Sequence, residues 1–474
     1  MTDLHYLSAT EAISRFRSGD LSPVELFDAI ADRAEQLEPA VNAFSHTRWT
    51  EAREQAVQAE RLYRADPERA RPLEGLLVAV KDEEPIEGWP NTNGSLLWAA
   101  EIGSHTATVA QRIVDAGGII HAQTTTPELS AAPTTISNLW GVTRNPWNLE
   151  YSAGGSSGGS AAALAAGSTT LATGSDMAGS IRIPASFCGV VGFKPPHGRV
   201  PVESPWNYDT YVHNGPMART VADAVLLENV IAGPDDLDIT TLRPKLVLPN
   251  TFSGVEGLRV AISTDLGDWA VDPEIRANTR AVGEALRRAG AIVEEVDIPL
   301  PRATVQRTFA LHTAGGNDFL ESYIRDSAGR ATPMLARLVE RARESGIRPD
   351  QDEERRLSAE LYAAVIRIFR SFDAFVVPTV GSTGFPAEEQ YLGEAFVEIE
   401  GQRFEDPMQT VLTMPFNILS RCPVLAVPSG RAANGIPTGV QIVARTYDDG
   451  TVMRVGAAIE RELPWAYPRV PEGE

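Results

Sequence analysis

Two serines in glycine-rich surroundings, Ser156 and Ser180, occupy the settings in this 474-residue chain that most favour chemistry. Ser156 lies in the stretch SAGGSSGGSAAALAAG, residues 152–167, and Ser180 lies in GSDMAGSIRIPASFCG, residues 174–189. Small residues before a serine allow successive backbone N–H groups to converge on one point, which is the geometry that holds a developing oxyanion. Taken alone, Ser180 is better explained as the N-cap of a short helix. Two such serines only 24 residues apart favour nucleophilic catalysis instead.

A nucleophilic serine needs a group that takes its proton, and lysine is the rare basic residue of this chain. Of the 42 lysines and arginines, only Lys81, Lys194 and Lys245 are lysines. Arginine cannot act as a base because its pKa stays above about 12, whereas burial can lower the pKa of a lysine towards neutrality. Lys81 ends the apolar run LLVAV and is therefore the candidate base. The alternatives for such a lysine are a charge that reaches solvent or an ion pair with Asp82.

Three other interpretations of the glycine-rich stretch 152–167 are less favoured. A flexible linker does not run directly into the helix-favouring sequence SAAALAAG. A phosphate-binding loop needs a lysine after its glycines, and none follows here. The G-x-S-x-G turn of α/β-hydrolases matches at Ser156 and again at Ser157, but no strand-like sequence precedes it. None of the seven histidines has a setting that marks it as a base.

Alternating strand-like and helix-like stretches indicate the elements that must position these residues. Short apolar runs such as GLLVAV, VGFK and VLAVPS predict buried strands, and amphipathic stretches ended by glycine, such as TATVAQRIVDAGG, predict helices. This alternation predicts an α/β fold with one large, mixed and mostly buried sheet flanked by helices. We expect a single large domain, with an N-terminal helical segment over residues 1–70 packed on a core of residues 71–474. Within that core, helices and loops over about 300–420 would form a variable cover.

Composition excludes several classes of protein. The formal net charge of −21 argues against nucleic acid or an anionic membrane as a partner. There is no run of about 18 apolar residues that would predict a membrane span. The N-terminus lacks the pattern of a signal peptide, so we expect a cytoplasmic protein. Cys188 and Cys422 lie in apolar sequence, which favours buried free thiols over a disulfide, and no spacing indicates a metal site.

The order and spacing of these motifs resemble those of the amidase signature family of amidohydrolases. The matching stretches are VAVKD, GGSSGGSAAALAAG, GSDMAGSIRIPASFCGVVGFKP, GRVP and, near the C-terminus, GIPTGVQIVA. The resemblance covers most of the chain and is most specific over residues 150–201. It implies catalysis by a Ser–cis-Ser–Lys triad on an α/β fold with a large mixed sheet, and it implies no metal and no organic cofactor.

The resemblance also implies roles for individual residues. Ser180 would be the nucleophile, Ser156, after a cis peptide bond, would relay its proton, and Lys81 would be the base. The backbone N–H groups of the loop 177–180 would form an oxyanion hole; these are the groups of Met177, Ala178, Gly179 and Ser180. The residues that would support this loop are Asp176, Arg182, Ser157 and Ser175. Ser130 would line the substrate site.

Two departures from the family pattern affect the expected site. The usual GTDxGGS is GSDMAGS here, so Ala178 replaces a glycine, and alanine can adopt the loop geometry unless φ is positive. After Lys81 the sequence DEEPIEG replaces a commoner asparagine-rich run. An acidic side chain facing the lysine would raise its pKa and oppose a role as base. We therefore expect Glu83 and Glu84 to point away from Lys81.

The resemblance is strongest to the branch that includes hydrolases of nylon-related cyclic amides, aryl acylamidases and urethanases. It implies hydrolysis of C–N bonds in amides through an acyl-enzyme, with a broad specificity that includes aryl amides, esters and carbamates. The partner would be a small-molecule amide or carbamate, and the chain would be a monomer or homodimer. Two alternatives stay open: an amidotransferase A-type subunit that works with partner subunits, and a non-catalytic binding protein on the same fold. Thr379, Thr413 and Phe416 are the expected pocket residues.

Overall fold

The computed structural model describes residues 3–392 and 395–468, and a mixed sheet of eleven strands forms the centre of this part of the chain. In chain order the strands are β1 (Phe44–Thr47), β2 (Leu77–Lys81), β3 (Ile119–Thr124), β4 (Leu171–Asp176), β5 (Val191–Lys194), β6 (His213–Ala218), β7 (Arg259–Ile262), β8 (Ile292–Glu295), β9 (Ala374–Pro378), β10 (Val424–Arg431) and β11 (Pro437–Ala444). Every residue of β2 and β9 is buried, as expected for strands that are covered on both faces. The predicted α/β fold is confirmed.

The order of the strands places the candidate base and the candidate nucleophile at one edge of the sheet. The strands lie in the order β1-β3-β2-β4-β6-β5-β10-β11-β9-β7-β8. β2 and β4 are parallel neighbours, with Val78 opposite Leu171. Because the carboxyl ends of parallel strands meet at the same edge, Lys81 at the end of β2 lies beside the end of β4.

Helices flank this sheet, and polar side chains define where the first ones begin. The helices are α1 (Ala9–Ser18), α2 (Pro23–Val41), α3 (Trp49–Ala65), α4 (Thr108–Asp115), α5 (Gly158–Ala166), α6 (Arg182–Cys188), α7 (Val221–Ile231), α8 (Pro273–Arg288), α9 (Arg302–Thr313), α10 (Asn317–Asp326), α11 (Pro333–Ser345), α12 (Gln351–Phe369), α13 (Pro415–Ile418) and α14 (Asp449–Glu462). Ser22 and Glu25 form a reciprocal capping box at the start of α2, with Pro23 in its first turn. The hydroxyl of Ser8 accepts from the Glu11 N–H at the start of α1.

The N-terminal segment contributes to the sheet as well as packing on it. Residues 1–70 are expected to be helical, but β1 lies within them and pairs antiparallel with β3, with Phe44 opposite Thr124. The segment is also tied to α7, because the N–H groups of Ala9 and Thr10 each donate to the Asp223 carboxylate at 2.9 Å. A strand of only four residues gives too short a pattern to be recognised from the sequence.

The cover consists mainly of α9 to α12, and its His312 contacts the loop that precedes β6. His312 of α9 lies with its Nδ1 2.8 Å from Glu354 of α12, and its Nε2 is 2.8 Å from Asp209. Burial alone would lower the pKa of His312, but the two carboxylates raise the pKa above its ordinary value. The imidazole ring stacks on Tyr211, with ring centroids 3.6 Å apart. These contacts hold the cover against the loop that leads into β6.

Two further expectations concern the cysteines and the membrane. Cys188 and Cys422 are both buried and both free, as their apolar sequence surroundings predict. Within the described residues, no helix combines the length and apolar composition that crossing a bilayer demands.

Candidate active site

Lys81 extends into the protein interior from the end of β2. Its side chain has no exposed surface, and its Nζ lies 2.7 Å from Ser156 Oγ and 2.8 Å from Ser175 Oγ. Burial lowers the pKa of Lys81 below its ordinary value, because a charged amine loses its hydration there. The amine is therefore shifted towards the neutral form that can accept a proton.

The expectation that acidic side chains point away from Lys81 is wrong for Glu83, whose Oε2 lies 3.2 Å from Lys81 Nζ. The chain turns tightly after β2, because the N–H groups of Glu83 and Glu84 both donate to the Lys81 carbonyl, at 2.8 and 3.1 Å. Glu84 contacts Asn214 instead, whose Nδ2 donates to Glu84 Oε1 at 2.7 Å. Burial still dominates the pKa of Lys81, while the charge of Glu83 raises that pKa part of the way back.

The glycines next to Ser156 allow the chain to pack closely. The Gly155–Ser156 peptide bond is cis, as the resemblance implies, and α5 begins two residues later at Gly158. A Cβ atom on Gly158 would lie 2.2 Å from Thr135 Oγ1, so no larger residue fits there without a shift of its neighbours. Every residue of α5 is buried. The glycine-rich stretch is therefore a packed helix start and not a linker, as predicted.

Ser180 lies two residues before the start of α6 and beside the loop of Ser156. The N–H of Ser157 donates to the Ser180 carbonyl at 3.1 Å, and Ser157 Oγ donates to the Ser175 carbonyl at 3.4 Å. Ser180 is half-buried, and among the described residues its hydroxyl has no hydrogen-bond partner. The structure thus joins Lys81 to Ser156 and brings the Ser180 backbone next to Ser157, while the Ser180 hydroxyl remains free to turn.

The loop of residues 177–180 presents backbone N–H groups between β4 and α6. The N–H of Gly179 donates to Asp176 Oδ1 at 2.8 Å, so this amide is not free for the role in an oxyanion hole that the resemblance implies. The N–H groups of Met177, Ala178 and Ser180 have no hydrogen-bond partner among the described residues. Ala178 is not among the residues with a positive φ angle, and the alanine therefore fits this loop without backbone strain.

A buried ion pair between Asp176 and Arg182 holds this loop in place. Arg182 Nε and Nη2 each lie 2.9 Å from a different oxygen of Asp176, and neither side chain is exposed. Burial alone would raise the pKa of Asp176, but the charge of Arg182 and its hydrogen bonds hold that pKa well below its usual range. Asn417 Nδ2 donates to Asp176 Oδ1, and Arg182 Nη1 donates to Gln441 Oε1, both at 2.8 Å.

Three residues that support this loop come from far along the chain. Asn417 and Gln441 are absent from the predicted site, and Thr413 is predicted only as a pocket residue. Thr413 Oγ1 donates to the carbonyl of Ala178, 235 residues away in sequence. Only the motif GVQIVA, which contains Gln441, offers a signal for any of them. The other expected pocket residues, Thr379 and Phe416, have no exposed surface and so do not face an open pocket.

Ser130, which is expected to line the substrate site, contacts the carboxylate of Glu83. Its side chain is half-buried, and its Oγ lies 2.6 Å from Glu83 Oε2 and 3.0 Å from Asn93 Oδ1. The φ angle of Ser130 is +55°, in the left-handed region that non-glycine residues rarely adopt. Its hydroxyl therefore faces the carboxylate next to Lys81.

The sequence matches proteins that hydrolyse or transfer amides over almost its whole length. A family model described as Amidase matches residues 25–453. The chain is 34% identical to an acylamidase of Rhodococcus erythropolis, over 98% of this chain and 97% of that protein. It is 32% identical to the A-type subunit of the glutamyl-tRNA(Gln) amidotransferase of Chloroflexus aurantiacus, over 98% of each chain.

Solved structures show the same similarity in three dimensions. A bacterial aryl acylamidase of the amidase signature enzymes superposes with a TM-score of 0.89 at 29% identity, covering 99% of each chain. A 6-aminohexanoate cyclic dimer hydrolase superposes with a TM-score of 0.83, also at 29% identity, covering 99% of this chain and 100% of that one. Because the family model covers residues 25–453 and these relatives match almost the whole chain, the chain belongs to the amidase signature family.

Proposed function

We propose that the protein hydrolyses the C–N bond of small amides through an acyl-enzyme on Ser180. The observation that carries this proposal is the fully buried amine of Lys81, 2.7 Å from Ser156 Oγ. A neutral amine at this place can accept the Ser156 proton while Ser156 takes the proton of Ser180. The Ser180 hydroxyl turns towards Ser156 when substrate binds, since catalytic hydrogen bonds commonly close only in the substrate complex.

The reaction then follows from where each proton and charge goes. Ser180 Oγ attacks the amide carbonyl, and its proton passes through Ser156 to Lys81. The resulting oxyanion accepts hydrogen bonds from the free N–H groups of Met177, Ala178 and Ser180. The proton returns along the same path to the leaving amine, and water hydrolyses the acyl-enzyme, or a carbamoyl-enzyme if the substrate is a carbamate.

The surroundings of residues 177–180, which we call the oxyanion loop, favour an apolar acyl group. Met177 and Ala178 are half-buried and pack against a cluster of buried apolar residues, against which Phe309 and Met334 of the cover also pack. Apolar walls with few polar groups suit aryl or alkyl substituents. The aryl acylamidase and the cyclic amide hydrolase that the chain resembles are consistent with a broad specificity for aryl amides, esters and carbamates.

A fluorophosphonate probe combined with an activity screen tests this proposal. The purified chain alone should hydrolyse p-nitroanilides, aryl esters or aryl carbamates, and the probe should label one peptide, at Ser180. The Ser180→Ala variant should lose both label and turnover, whereas Ser104→Ala, at an exposed serine, should keep both. A Ser180→Ala protein with substantial activity would contradict the proposal.

The similarity to the A-type amidotransferase subunits supports a second candidate function. Several relatives that are 32–33% identical to this chain are A subunits of glutamyl-tRNA(Gln) amidotransferases. A protein of that kind would work with partner subunits. The screen separates the two functions, because turnover of a simple anilide by the purified chain favours the independent hydrolase. Label at Ser180 without turnover of any amide, ester or carbamate would favour the amidotransferase role. Absence of label and turnover would favour a non-catalytic binding protein.

Substitution of Gly179 by alanine should lower kcat/KM for an anilide by about 10²- to 10³-fold, the usual cost of damaging an oxyanion site. The φ angle of Gly179 is +123°, and a Cβ there would lie 2.1 Å from Thr413 Oγ1. The loop would have to move, and its amides would move with it. Gly257→Ala is the matched control, because Gly257 has a φ of +77° but open space around it. Equal activity of the two variants would contradict this prediction.

A further inference from the structure

The turn after β2 folds a carboxylate back against the buried lysine. Glu83 Oε2 lies 3.2 Å from Lys81 Nζ, and 17% of the Glu83 side-chain surface is exposed. The protein supports the negative charge of this carboxylate. Burial would raise the pKa of Glu83, but Lys81 and the hydrogen bond from Ser130 hold that pKa below its ordinary value. The contacts with Lys81 and Ser130 therefore favour the ionised form of Glu83.

The position of Glu83 is maintained at a conformational cost. Ser130, which contacts Glu83 at 2.6 Å, and Leu129 before it have φ angles of +55° and +54°. Left-handed conformations of non-glycine residues are unfavourable and persist only where the surrounding structure enforces them. Glu128 anchors this segment, since its Oε1 and Oε2 accept from Tyr323 and from the Thr332 N–H, both at 2.5 Å. The loop is thus built to place a hydroxyl on the Glu83 carboxylate.

The three partners of Lys81 Nζ differ in what they can do with a proton. Ser156 and Ser175 carry hydroxyls, which can donate or accept a hydrogen bond, whereas an ionised carboxylate can only accept. Glu83 can therefore only accept a proton-bearing N–H from Lys81, whether the amine is charged or neutral. A neutral amine has two N–H groups and one lone pair. With one N–H turned towards Glu83 and the other on Ser175, the lone pair is left for Ser156.

We propose that Glu83 is a positioning residue of the proton relay, which orients the Lys81 lone pair towards Ser156 and stabilises the ammonium that forms when the proton arrives. This inference rests on the proposed function. In the step concerned, the O–H bond of Ser180 breaks and its proton forms a new O–H bond on Ser156. The original O–H bond of Ser156 breaks at the same time, and that proton forms a new N–H bond on Lys81. The proton stays on Lys81, beside the Glu83 carboxylate, until the leaving amine takes it back. The arrangement parallels a carboxylate that orients the imidazole of a serine hydrolase.

Glu83 is the main uncompensated charge that faces Lys81. The other acidic groups whose charge acts on Lys81 are Glu84 and Asp176. Burial and the charge of Glu83 raise the pKa of Glu84 to about 8, so Glu84 is largely neutral at pH 7. Asp176 is neutralised by its pair with Arg182. Removing the charge of Glu83 should therefore change the proton affinity of Lys81 more than removing either neighbour.

The small number of lysines makes this inference directly measurable. The chain contains only three lysines, so protein labelled with ¹³C at lysine Cε gives three resonances, and Lys81→Met identifies that of Lys81. In Glu83→Gln the titration midpoint of Lys81 should fall by about 1 pH unit or more, the usual effect of losing a nearby opposite charge. The acidic limb of kcat/KM for p-nitroacetanilide should move to lower pH by the same amount. kcat on the plateau should fall about 10- to 100-fold with little change in KM, as for loss of one oriented proton transfer.

Two variants distinguish orientation and charge from a merely structural role. Asp82→Asn removes a neighbouring buried carboxylate that contacts Thr92 and Trp140 and should leave the Lys81 midpoint unchanged. Glu83→Asp keeps the charge with a shorter reach and should keep the midpoint near that of the wild type while kcat falls. A structural defect alone would lower activity at every pH without moving the limb.

The outcomes separate this inference from the proposed function. An unchanged Lys81 midpoint in Glu83→Gln would overturn the inference even if the wild type is an active hydrolase. A shifted midpoint with an unshifted kcat/KM limb would also overturn it, because Lys81 would then not control the rate. A wild type that neither turns over amides nor is labelled at Ser180 would refute the proposed function. The inferred role of Glu83 in the proton relay would then be refuted as well.

Discussion

Replacing Lys81 by methionine should lower kcat/KM for an anilide by about 10⁴-fold or more, the usual cost of losing one member of a serine triad. Methionine preserves most of the length of the lysine stem but has no amine that can accept the Ser156 proton. Its apolar side chain suits the buried site, since Lys81 has no exposed surface. The folded protein should therefore persist while turnover disappears.

Two companion variants make the Lys81 experiment specific. Lys245→Met changes an exposed lysine in the same way and should leave kcat/KM within about twofold, as surface substitutions away from special features usually do. Lys81→Arg keeps a positive charge but supplies a group that cannot release its proton, and it should be as inactive as Lys81→Met. An active Lys81→Arg protein would show that position 81 acts by charge and not as a base. Circular dichroism confirms that each variant is folded.

Replacing Arg182 by methionine should destabilise the protein by about 3–5 kcal/mol, the usual result of breaking a buried ion pair by removing one partner. Asp176 would keep a buried carboxylate without its cation, and Gln441 and Asn417 would each lose a hydrogen bond from the guanidinium. Because the N–H of Gly179 is held by Asp176, the oxyanion loop should loosen as well. Urea denaturation and a kcat/KM measurement on the folded fraction should report both effects.

The control for Arg182 is an exposed ion pair of similar geometry. Arg53 Nε lies 3.0 Å from Asp28 Oδ1, with about half of each side chain exposed. Arg53→Met should destabilise the protein far less than Arg182→Met does, because exposed pairs contribute little to stability, and kcat/KM should be unchanged. Equal destabilisation by the two substitutions would contradict the structural importance of the buried pair.

Local patterns predict most of the elements of this fold, and they fail where composition is ambiguous. Apolar runs such as LLVAV and VLAVPS predict β2 and β10, because buried strands are nearly continuous in apolar residues. β4 and β6 are not predicted, since LATGSD and HNGPMA combine glycine with polar residues or proline. These two strands are formed through tertiary pairing with each other, which no local window of sequence contains.

The candidate site is predictable in its motifs but not in its long-range support. The contact between Lys81 and Ser156 joins two segments whose motifs are recognisable together. The approach of Glu83 to Lys81 is not predictable in the same way, because a nearby carboxylate raises the pKa of a lysine and so opposes its role as a base, and because the tight turn after β2 leaves no clear pattern in the sequence. Asn417 and Thr413 reach the oxyanion loop only through the fold of the cover region.

The four-residue strand β1 protects one border of the eleven-stranded sheet. Its pairing with β3 occupies backbone groups that would otherwise be open to another chain. If residues before about 48 were cut away by a protease or by an expression design, β3 would become the outermost strand, although all of its residues are buried in the intact protein. Such a protein would be prone to self-association. The segment that carries β1 therefore helps to prevent the sheet from pairing with other chains.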